Sequence, residues 1–440
     1  MLTAQTWVVM LKNNIVLKIL QKEFVGYSHS LSPYFLVLSH FVTTYLPYLI
    51  WLIIAFFILW IICLSVKLYL FWKESNKPTQ IFEVSPPTST EQSSFTTAQL
   101  FTSVHGLLRQ RSWILRLFDV SKSYAFEIVS TKDKGIRYIL RVSVDDAQII
   151  KKNLIAYLPG IQVKEADDYL KNGTHGHVID IRLAKHFVFP LKKQDNLEEY
   201  DPIAYVTGAM TKLSENEMVA VQMVVSPINR GTTRVIGRLR GLFLGDKDVL
   251  SELQVASPFG IWIVTLGREG PVLPIMSLKT KLPDSTYRDI IETQIKQKTD
   301  QQLFTASLRL LTVSNSYSNR STIEKGFLAA LSPFTNAGYQ SLKARRYIRI
   351  KAINDLLFWL YQHRLLNIVG NPILSTSELS DLYHFPYTST TKTENLSKLH
   401  SKELPAPLSL KQKTECDLYF AKNIYGGTET KIGLTEDERR

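Results

Sequence analysis

The feature that most constrains this chain is a long apolar run in its N-terminal part. Residues 46–66 read LPYLIWLIIAFFILWIICLSV, which is 21 residues without a charged side chain. A helix of roughly 20 apolar residues is needed to cross a hydrocarbon core of roughly 30 Å. The run begins too far into the chain for a cleavable signal peptide, which occupies about the first 15–30 residues. The sequence therefore predicts a transmembrane helix, with its flank, over residues 46–72.

Charges on either side of this run predict its orientation. Three lysines of residues 67–77 lie just beyond its C-terminal end, whereas three lysines of residues 12–22 lie farther from its N-terminal end. Because cytoplasmic flanks carry the excess of basic residues, we expect a single pass with the C-terminal region in the cytoplasm. Residues 1–45 are then an amphipathic or juxtamembrane region. The alternative is a hairpin of two spans, the first of them within residues 26–45.

Composition places the rest of the chain among folded, basic proteins. Of the 440 residues, 45% are hydrophobic and 21% are charged, a balance typical of globular chains with room for two or three domains. The formal net charge of +13 favours anionic partners such as nucleic acid or an anionic membrane surface. The two cysteines, Cys63 and Cys416, are far apart in sequence, so no disulfide framework or cysteine-based zinc site is predicted.

A linker is predicted over residues 73–97. Its second part, residues 85–97, reads SPPTSTEQSSFTT, in which ten of thirteen residues are Ser, Thr or Pro. Such a segment buries too little apolar surface to offset the entropy lost on ordering. We therefore expect a flexible or extended spacer.

A first α+β unit is predicted over residues 98–245. The stretch IRYILRV, residues 136–142, alternates as a half-buried strand does, and YAFEIVS before it is a hairpin partner. A helix that Asp145 or Asp146 can cap follows, and further strands include VAVQMVVSP. This order predicts an antiparallel sheet covered on one face, of ferredoxin-like type.

A second α+β unit is predicted over residues 246–400, so that the soluble region holds one or two ferredoxin-like units. The stretch LFTASLRLLT predicts a strand, and a capping box from Ser321 to Glu324 predicts the start of a helix. Between the units, residues 229–245 are rich in Gly and Arg and are interpreted as either a loop or a peripheral helix. Residues 401–440 form a C-terminal connector.

Sequence motifs for catalysis are missing, which predicts a protein that is not an enzyme. The chain has no G-x-x-x-x-G-K-[ST], G-x-S-x-G, H-E-x-x-H or EF-hand pattern. His175 and His177 are interpreted as loop residues rather than metal ligands, because the spacing identifies no further ligand. The pairs Asp145–Asp146 and Asp167–Asp168 are interpreted as capping and solvated residues, because sequential carboxylates point in different directions. No cofactor is expected.

Two basic clusters are candidates for contact with nucleic acid. The first surrounds Tyr347 and contains Lys343, Arg345, Arg346, Arg349 and Lys351. A cationic strip with an aromatic residue can follow a phosphate backbone, although a charged edge strand, protected against pairing with other chains, is the favoured alternative. The second, looser cluster contains Arg230, Arg234, Arg238 and Arg240.

Several longer stretches carry a resemblance to a known group of proteins: AQLFTSVHGLL, FEIVSTKDKGIRYILRV, IIKKNLIAYLPGIQVKEADDYL, STSELSDLYHFPYTST and SKELPAPL. They resemble the membrane-anchored N-terminal region of bacterial conjugative DNA-transfer proteins of the type IV secretion kind, whose second half is a hexameric FtsK/HerA-like ATPase. The resemblance covers most of the chain from about residue 98. The ending IGLTEDERR is similar to the segment that leads into the motor, which implies that the ATPase domain is missing here.

The resemblance implies a location in the bacterial plasma membrane and a homo- or hetero-oligomer with an ATPase motor. The expected function is a non-catalytic module that anchors and assembles a DNA-transfer machine. The resemblance leaves open a truncated or split gene, a stand-alone paralogue and a degenerate remnant. The alternative function is that of a membrane-tethered protein that binds nucleic acid without a motor.

Overall fold

A computed structural model describes most of the region after residue 32. The described residues are 33–87, 94–157, 160–170, 174–194, 201–244, 285–336, 339–347, 350–368, 370–386, 416–425 and 428–436. Most of the predicted N-terminal region, the predicted unit boundary at residue 245 and most of the C-terminal connector lie outside them. The chain divides into two compact units, Met1–Tyr69 and Leu70–Arg440.

The described residues of the first unit all belong to one long helix, α1, which spans Pro33–Ser75. Its segment Tyr48–Ser75 is long and apolar enough to cross a membrane. The most apolar window of this segment has a mean hydropathy of 3.0, and none of its residues is buried. Large side chains such as Trp51 and Phe56 are more than half exposed, as expected where lipid rather than protein covers a helix. The helix is continuous from residue 33, so the described residues contain one candidate span and no hairpin.

A strand, not a spacer, follows the helix. Strand β1 spans Thr79–Ser85, within the predicted linker, and only three residues separate it from α1. Phe82 and Val84 are buried at the period of two that a strand requires. The linker prediction is wrong here because the Ser/Thr/Pro-rich composition begins only after this strand.

Leu70–Arg440 contains a nine-stranded sheet in which every pairing is antiparallel. The sheet has two halves, and β1 is the first strand of the first half. The remaining elements of that half are α2 (Ser94–Arg109), α3 (Trp113–Leu117), β2 (Tyr124–Thr131), β3 (Gly135–Ser143), α4 (Val144–Tyr157) and β4 (Gln162–Glu165). The predicted hairpin of β2 and β3 is confirmed, and Gly135 adopts the positive φ of 65° that its turn requires.

The second half repeats the alternation of the first. Its elements are β5 (His177–Leu183), α5 (Ile203–Gly208), β6 (Met218–Pro227), α6 (Arg230–Leu244), α7 (Ser285–Thr299), β7 (Leu303–Val313), α8 (Tyr317–Ala330) and β8 (Leu342–Ala344). The strand order across the sheet is β4-β1-β3-β2-β6-β7-β5-β8. Read from the outer edge of the sheet to its middle, the two halves are β4-β1-β3-β2 and β8-β5-β7-β6, so corresponding strands occupy the same positions. The halves join where β2 pairs with β6.

The remaining elements extend this sheet or lie outside it. They are α9 (Lys351–Gln362), β9 (Ile373–Ser375), α10 (Thr376–Leu382), and the separate hairpin of β10 (Leu418–Tyr425) and β11 (Thr428–Leu434). Strand β9 pairs with β7. The expected α+β class with an antiparallel sheet is therefore confirmed. The two predicted units share one sheet, and the repeat divides between β4 and β5 rather than near residue 245, because β1 belongs to the first half.

The main core lies on one face of this sheet. Aromatic side chains of Phe101, Phe126, Tyr138 and Tyr383 pack there edge to face, with ring centroids about 5–6.5 Å apart. The other face is also covered, since Leu357 and Tyr361 of α9 are buried against it. The expectation of a sheet covered on one face is thus wrong over the strands beneath α9.

One helix start differs from the sequence-based prediction. Helix α8 begins at Tyr317, capped by the Ser316 side chain, so the predicted capping box at residues 321–324 lies inside the helix. A capping box is instead found at Ser375 and Glu378, at the start of α10. Of the two interpretations of residues 229–245, the helix is confirmed as α6, whose Thr232 backbone N–H donates to the Asn229 side chain.

Candidate functional site

The basic cluster around Tyr347 is only partly a surface feature. Strand β8, which carries Lys343, is at the edge of the sheet, as the favoured alternative predicts. Arg345 turns inward, with its Nε 3.2 Å from the Asp180 carboxylate. The Tyr347 hydroxyl donates to the same carboxylate at 2.8 Å. Arg345 and Tyr347 therefore hold the edge of the sheet together.

The other members of this cluster have different positions. Lys343, Arg346 and Lys351 are exposed, with Lys351 as the first residue of α9. Arg349 lies outside the described residues. Of the four predicted cations that the structure describes, three therefore lie at the surface.

A second concentration of charge forms a groove where β6 passes into α6. The groove has a volume of about 950 Å³ and lies between the ends of α2 and α7, helix α6 and the segment that includes α3. Six arginines line it: Arg109, Arg111, Arg116, Arg230, Arg234 and Arg240. Asp300 is the one acidic residue among its described lining residues. We call this feature the arginine groove.

The arginine groove combines three predicted residues with three that the sequence analysis missed. Arg230, Arg234 and Arg240 belong to the second predicted cluster, whereas Arg238 does not line the groove. Residues 109–116, RQRSWILR, contain the other three arginines. The density of arginines in this segment was the sequence signal that could have indicated a charged site. The segment lies more than 100 residues before α6, so the sequence alone did not indicate that the two are close in space.

Hydrogen bonds fix the walls of the groove. Arg111 donates to the Val120 carbonyl oxygen at 2.8 Å and also to the Ser121 hydroxyl. The Arg230 backbone N–H donates to the Asp119 carboxylate at 3.3 Å, which ties the start of α6 to the same loop. Arg240 donates to the last carbonyl oxygen of α7, that of Thr299, at 3.1 Å. A cation at a helix C-terminus is favourable.

The electrostatics of the groove are those of crowded positive charge. Burial lowers the pKa of Arg111, and the charges of Arg109, Arg230 and Arg116 lower it further against the opposing effect of Asp119. Burial, helped by Arg109, lowers the pKa of His105 to about 4, so this imidazole at the groove wall is neutral near pH 7. A guanidinium such as that of Arg111, whose charged form is disfavoured by neighbouring cations, gains from an anion that neutralises them.

Helix α3, which contributes Arg116 to the lining of the groove, also carries exposed apolar side chains. Helix α3 has no buried residue, and Trp113, Ile114 and Leu117 are 73%, 39% and 58% exposed. Helices on the surface of a soluble domain normally bury an apolar stripe. Apolar exposure on this scale next to cations marks a surface that meets a partner.

A buried polar row crosses the other face of the sheet. Glu127, Gln222, Arg309 and Asp180 lie opposite one another on β2, β6, β7 and β5 and are at most 1% exposed. Gln222 donates to Glu127 at 2.6 Å and accepts from Arg309 at 3.1 Å. Such a fully connected network specifies the packing of a sheet.

Residues outside the strands complete this row. Arg364 donates to Glu127 at 3.1 Å and to both carboxylate oxygens of Asp168 at 2.6 and 2.7 Å. Although burial opposes the shift, these hydrogen bonds and the charge of Arg364 lower the pKa of Asp168. Asp168 is therefore an ion-pair partner rather than the solvated residue that was predicted.

The remaining sequence candidates also have structural partners. Asp146 accepts hydrogen bonds from Lys122 at 2.9 Å and Tyr124 at 2.6 Å in the first turn of α4. His177 Nδ1 lies 2.7 Å from Glu324. Among the described residues, no group of three His, Cys, Asp or Glu side chains is placed to hold a metal ion.

Fold and site together define a class: an α+β domain with an arginine groove, joined to a helix that is long and apolar enough to span a membrane. The chain belongs to a family of domains of unknown function, DUF8128, whose model matches residues 70–398. The match covers about three quarters of the chain and begins at the first residue of the Leu70–Arg440 unit. No curated protein matches this chain.

Proposed function

We propose that this chain anchors and assembles a DNA-transfer machine of the conjugative, type IV secretion kind in the bacterial plasma membrane. It would act without catalysis of its own, beside a hexameric ATPase motor, with residues after α1 in the cytoplasm. The observation that carries the proposal is the direct passage of α1 into the sheet, with three residues between Ser75 and Thr79. Strand β1 then lies between β3 and β4 rather than at an edge.

This connection suits a module that bears load. Thr79–Val84 pairs with β3 over six residues and Phe82–Ser85 pairs with β4 over four. A force on the sheet therefore reaches the membrane helix through paired strands instead of a flexible tether. The repeated strand order supports two ferredoxin-like units, which together offer a broad, stiff surface for neighbours.

The charged residues of the domain support a non-catalytic role. The buried carboxylates of Glu127, Asp180 and Glu378 pair with Arg364, Arg345 and Lys298. These pairs join strands, helices and loops to one another. Groups held in this way stabilise one arrangement of the chain and are not free to exchange protons with a substrate.

Helix α9 provides a surface on which assembly can be tested. Its buried face holds Leu357 and Tyr361, while Leu356 and Trp359 are 43% and 47% exposed. Aromatic side chains of this kind are enriched among residues that dominate protein interfaces. We propose that the exposed face of α9, with Leu356 and Trp359, contacts a second copy of the chain in the assembly.

The test uses the full chain in lipid nanodiscs, with and without FtsK/HerA-like ATPases from the same genome. We expect self-association by native mass measurement and co-purification of an ATPase without DNA. Trp359→Ser should weaken self-association at least tenfold, whereas Trp113→Ser, at a tryptophan away from α9 that is 73% exposed, should not. A chain that stays monomeric and retains no ATPase contradicts the proposal.

A second candidate function is favoured by the exposed Lys343, Arg346 and Lys351. A membrane-tethered protein could follow a phosphate backbone with these cations. If so, Lys343→Glu with Arg346→Glu should reduce the slope of log affinity against log salt by about 2, since each phosphate contact contributes about 0.9. Anisotropy of labelled DNA with the nanodisc-bound chain measures this, and Lys152→Glu on exposed α4 surface is the control. DNA binding that the double variant leaves unchanged excludes this surface.

A further inference from the structure

We infer that the arginine groove and helix α3 together bind anionic phospholipid, with Trp113 and Leu117 inserted among the head groups. The inference deepens the proposed function, because it rests on α1 being a membrane anchor. It adds a second, lipid-selective contact between the sheet and the membrane that α1 crosses.

The position of the groove in the sheet is the first argument. The C-terminal end of α1 contributes Phe71 and Glu74 to a small cavity that Lys122 and Tyr124, at the start of β2, also line. On the same end of the sheet, Tyr124 lies opposite Val225, two residues before β6 ends. Helix α1 therefore ends at the end of the sheet where α6 and the arginine groove begin.

Few residues connect the charge-free run to this end of the sheet. The charge-free run ends at Val66, and Phe71 follows five residues later in the sequence. A helix rises about 1.5 Å per residue, so five residues of helix cover roughly 8 Å. That distance is comparable to the depth of a head-group layer, which is about 5–8 Å on each side.

The composition of α3 is the second argument. Trp is enriched at membrane interfaces, where its ring lies at the level of the head groups. Ile114 and Leu117 add aliphatic area that an acyl chain can cover, and such residues gain nothing from a phosphate backbone in water. A nucleic acid would use the arginines and the indole ring but would leave these two side chains exposed.

Charge complementarity is the third argument. Arg109, Arg116, Arg230 and Arg234 are exposed in or beside the groove, and basic residues next to a span attract the anionic lipids of the cytoplasmic leaflet. A planar guanidinium binds a phosphate through two parallel hydrogen bonds. Exposed cations beside inserted apolar side chains are the pattern of interfacial lipid binding.

The test places an environment-sensitive fluorophore on single cysteines of the full chain in nanodiscs. One variant keeps Cys63, within the span, and carries Cys416→Ser. The other two carry Cys63→Ser and Cys416→Ser together with Trp113→Cys or with Lys132→Cys, at the exposed β2–β3 turn. Since α3 buries no residue, Trp113→Cys leaves the core intact. Lipids brominated near the head group quench a fluorophore that lies in the interface.

In nanodiscs containing phosphatidylglycerol, we expect strong quenching of the probe at position 113 and little at position 132, at the opposite end of the sheet. In pure phosphatidylcholine, quenching at position 113 should fall at least twofold. Arg116→Gln with Arg234→Gln should reduce the preference for the anionic lipid by about 25-fold, or about fivefold per arginine. Arg182→Gln, on an exposed part of β5, should not change it.

The outcomes separate this inference from the anchor itself. Loss of quenching at Cys63 by lipids brominated deep in the acyl chains would refute the anchor. Quenching at Cys63 with none at position 113 would overturn the lipid inference alone. Displacement of the position-113 probe from the membrane by added duplex DNA, with the arginine variants losing DNA binding, would assign the groove to nucleic acid and also overturn it.

Discussion

Replacement of Arg309 by Met is the most direct test of the buried polar row. Arg309 is fully buried, and burial lowers the pKa of its guanidinium to about 10. It donates to Asn367 Oδ1, Gln222 Oε1 and the carbonyl oxygens of Leu360 and Leu365. Methionine fills a similar volume but donates no hydrogen bond, so all four acceptors lose this donor.

The expected loss follows from these acceptors and from the nearby carboxylates. An unsatisfied buried acceptor costs about 1–3 kcal/mol, and removal of one partner from a buried charged network costs about 3–5 kcal/mol. Because neighbouring side-chain amides can reorient to donate to some of these acceptors, the losses do not simply add, and we expect Arg309→Met to lower the free energy of unfolding by about 3–5 kcal/mol. Arg309→Lys, which keeps the charge but not the planar fork, should give an intermediate loss.

Urea unfolding of the full chain in a non-ionic detergent, followed by circular dichroism of the sheet, measures these losses. Arg182→Met is the matched control, since Arg182 is exposed on β5, two residues from Asp180. Its expected cost is within about 0.5 kcal/mol. If Arg309→Met costs no more than this control, the row does not hold the sheet together and the reasoning fails.

Three further predictions concern single buried groups. Phe82→Ala should lower the free energy of unfolding by about 3–5 kcal/mol in the same urea assay, and Ile81→Ala on the half-buried side of β1 should cost clearly less; equal small losses would mean that β1 is not part of the core. Ser375→Ala should cost about 0.5–2 kcal/mol through the capping box of α10, with Ser375→Asp restoring most of it. Burial raises the pKa of Asp381 to about 7, above its value in the unfolded chain, so stability should fall as pH rises from about 4 to 7; Asp381→Asn should remove part of that fall, and an unchanged slope between pH 5 and 8 would contradict the assignment.

The sequence predicted the architecture well wherever one local pattern dominated. The charge-free run fixed α1, and the alternation of residues 136–142 fixed β3 together with its hairpin partner. Strand β1 was missed because it lies beside a low-complexity stretch. With β1 left out and β5 and β6 assigned to the first unit, the predicted boundary fell two strands too late, after β6 instead of between β4 and β5.

The candidate site was harder to predict because its geometry depends on pairing between distant strands. Arg230 and Arg234 were recognised as a cluster, but only the pairing of β2 with β6 brings residues 109–116 beside them. Arg345 shows the opposite failure, since its charge suggested the surface and its partner Asp180 is 165 residues away. Sequence patterns report local periodicity, whereas ion pairs across a sheet depend on register.

The two ends of the sheet differ in the elements and charges that they carry. At the end where β1 starts and β6 finishes, the chain places the end of α1, the exposed face of α3 and the arginines. At the opposite end, the β2–β3 turn and the loop before β6 carry mixed charge, and Lys132 pairs with Glu215 at 3.0 Å. The proposed lipid-facing role of the first end leaves the second end accessible to the proposed motor or to neighbouring copies. The antiparallel register that sets the start of β1 beside the end of β3 therefore places the proposed membrane contact at one end of the sheet and leaves the other end for assembly.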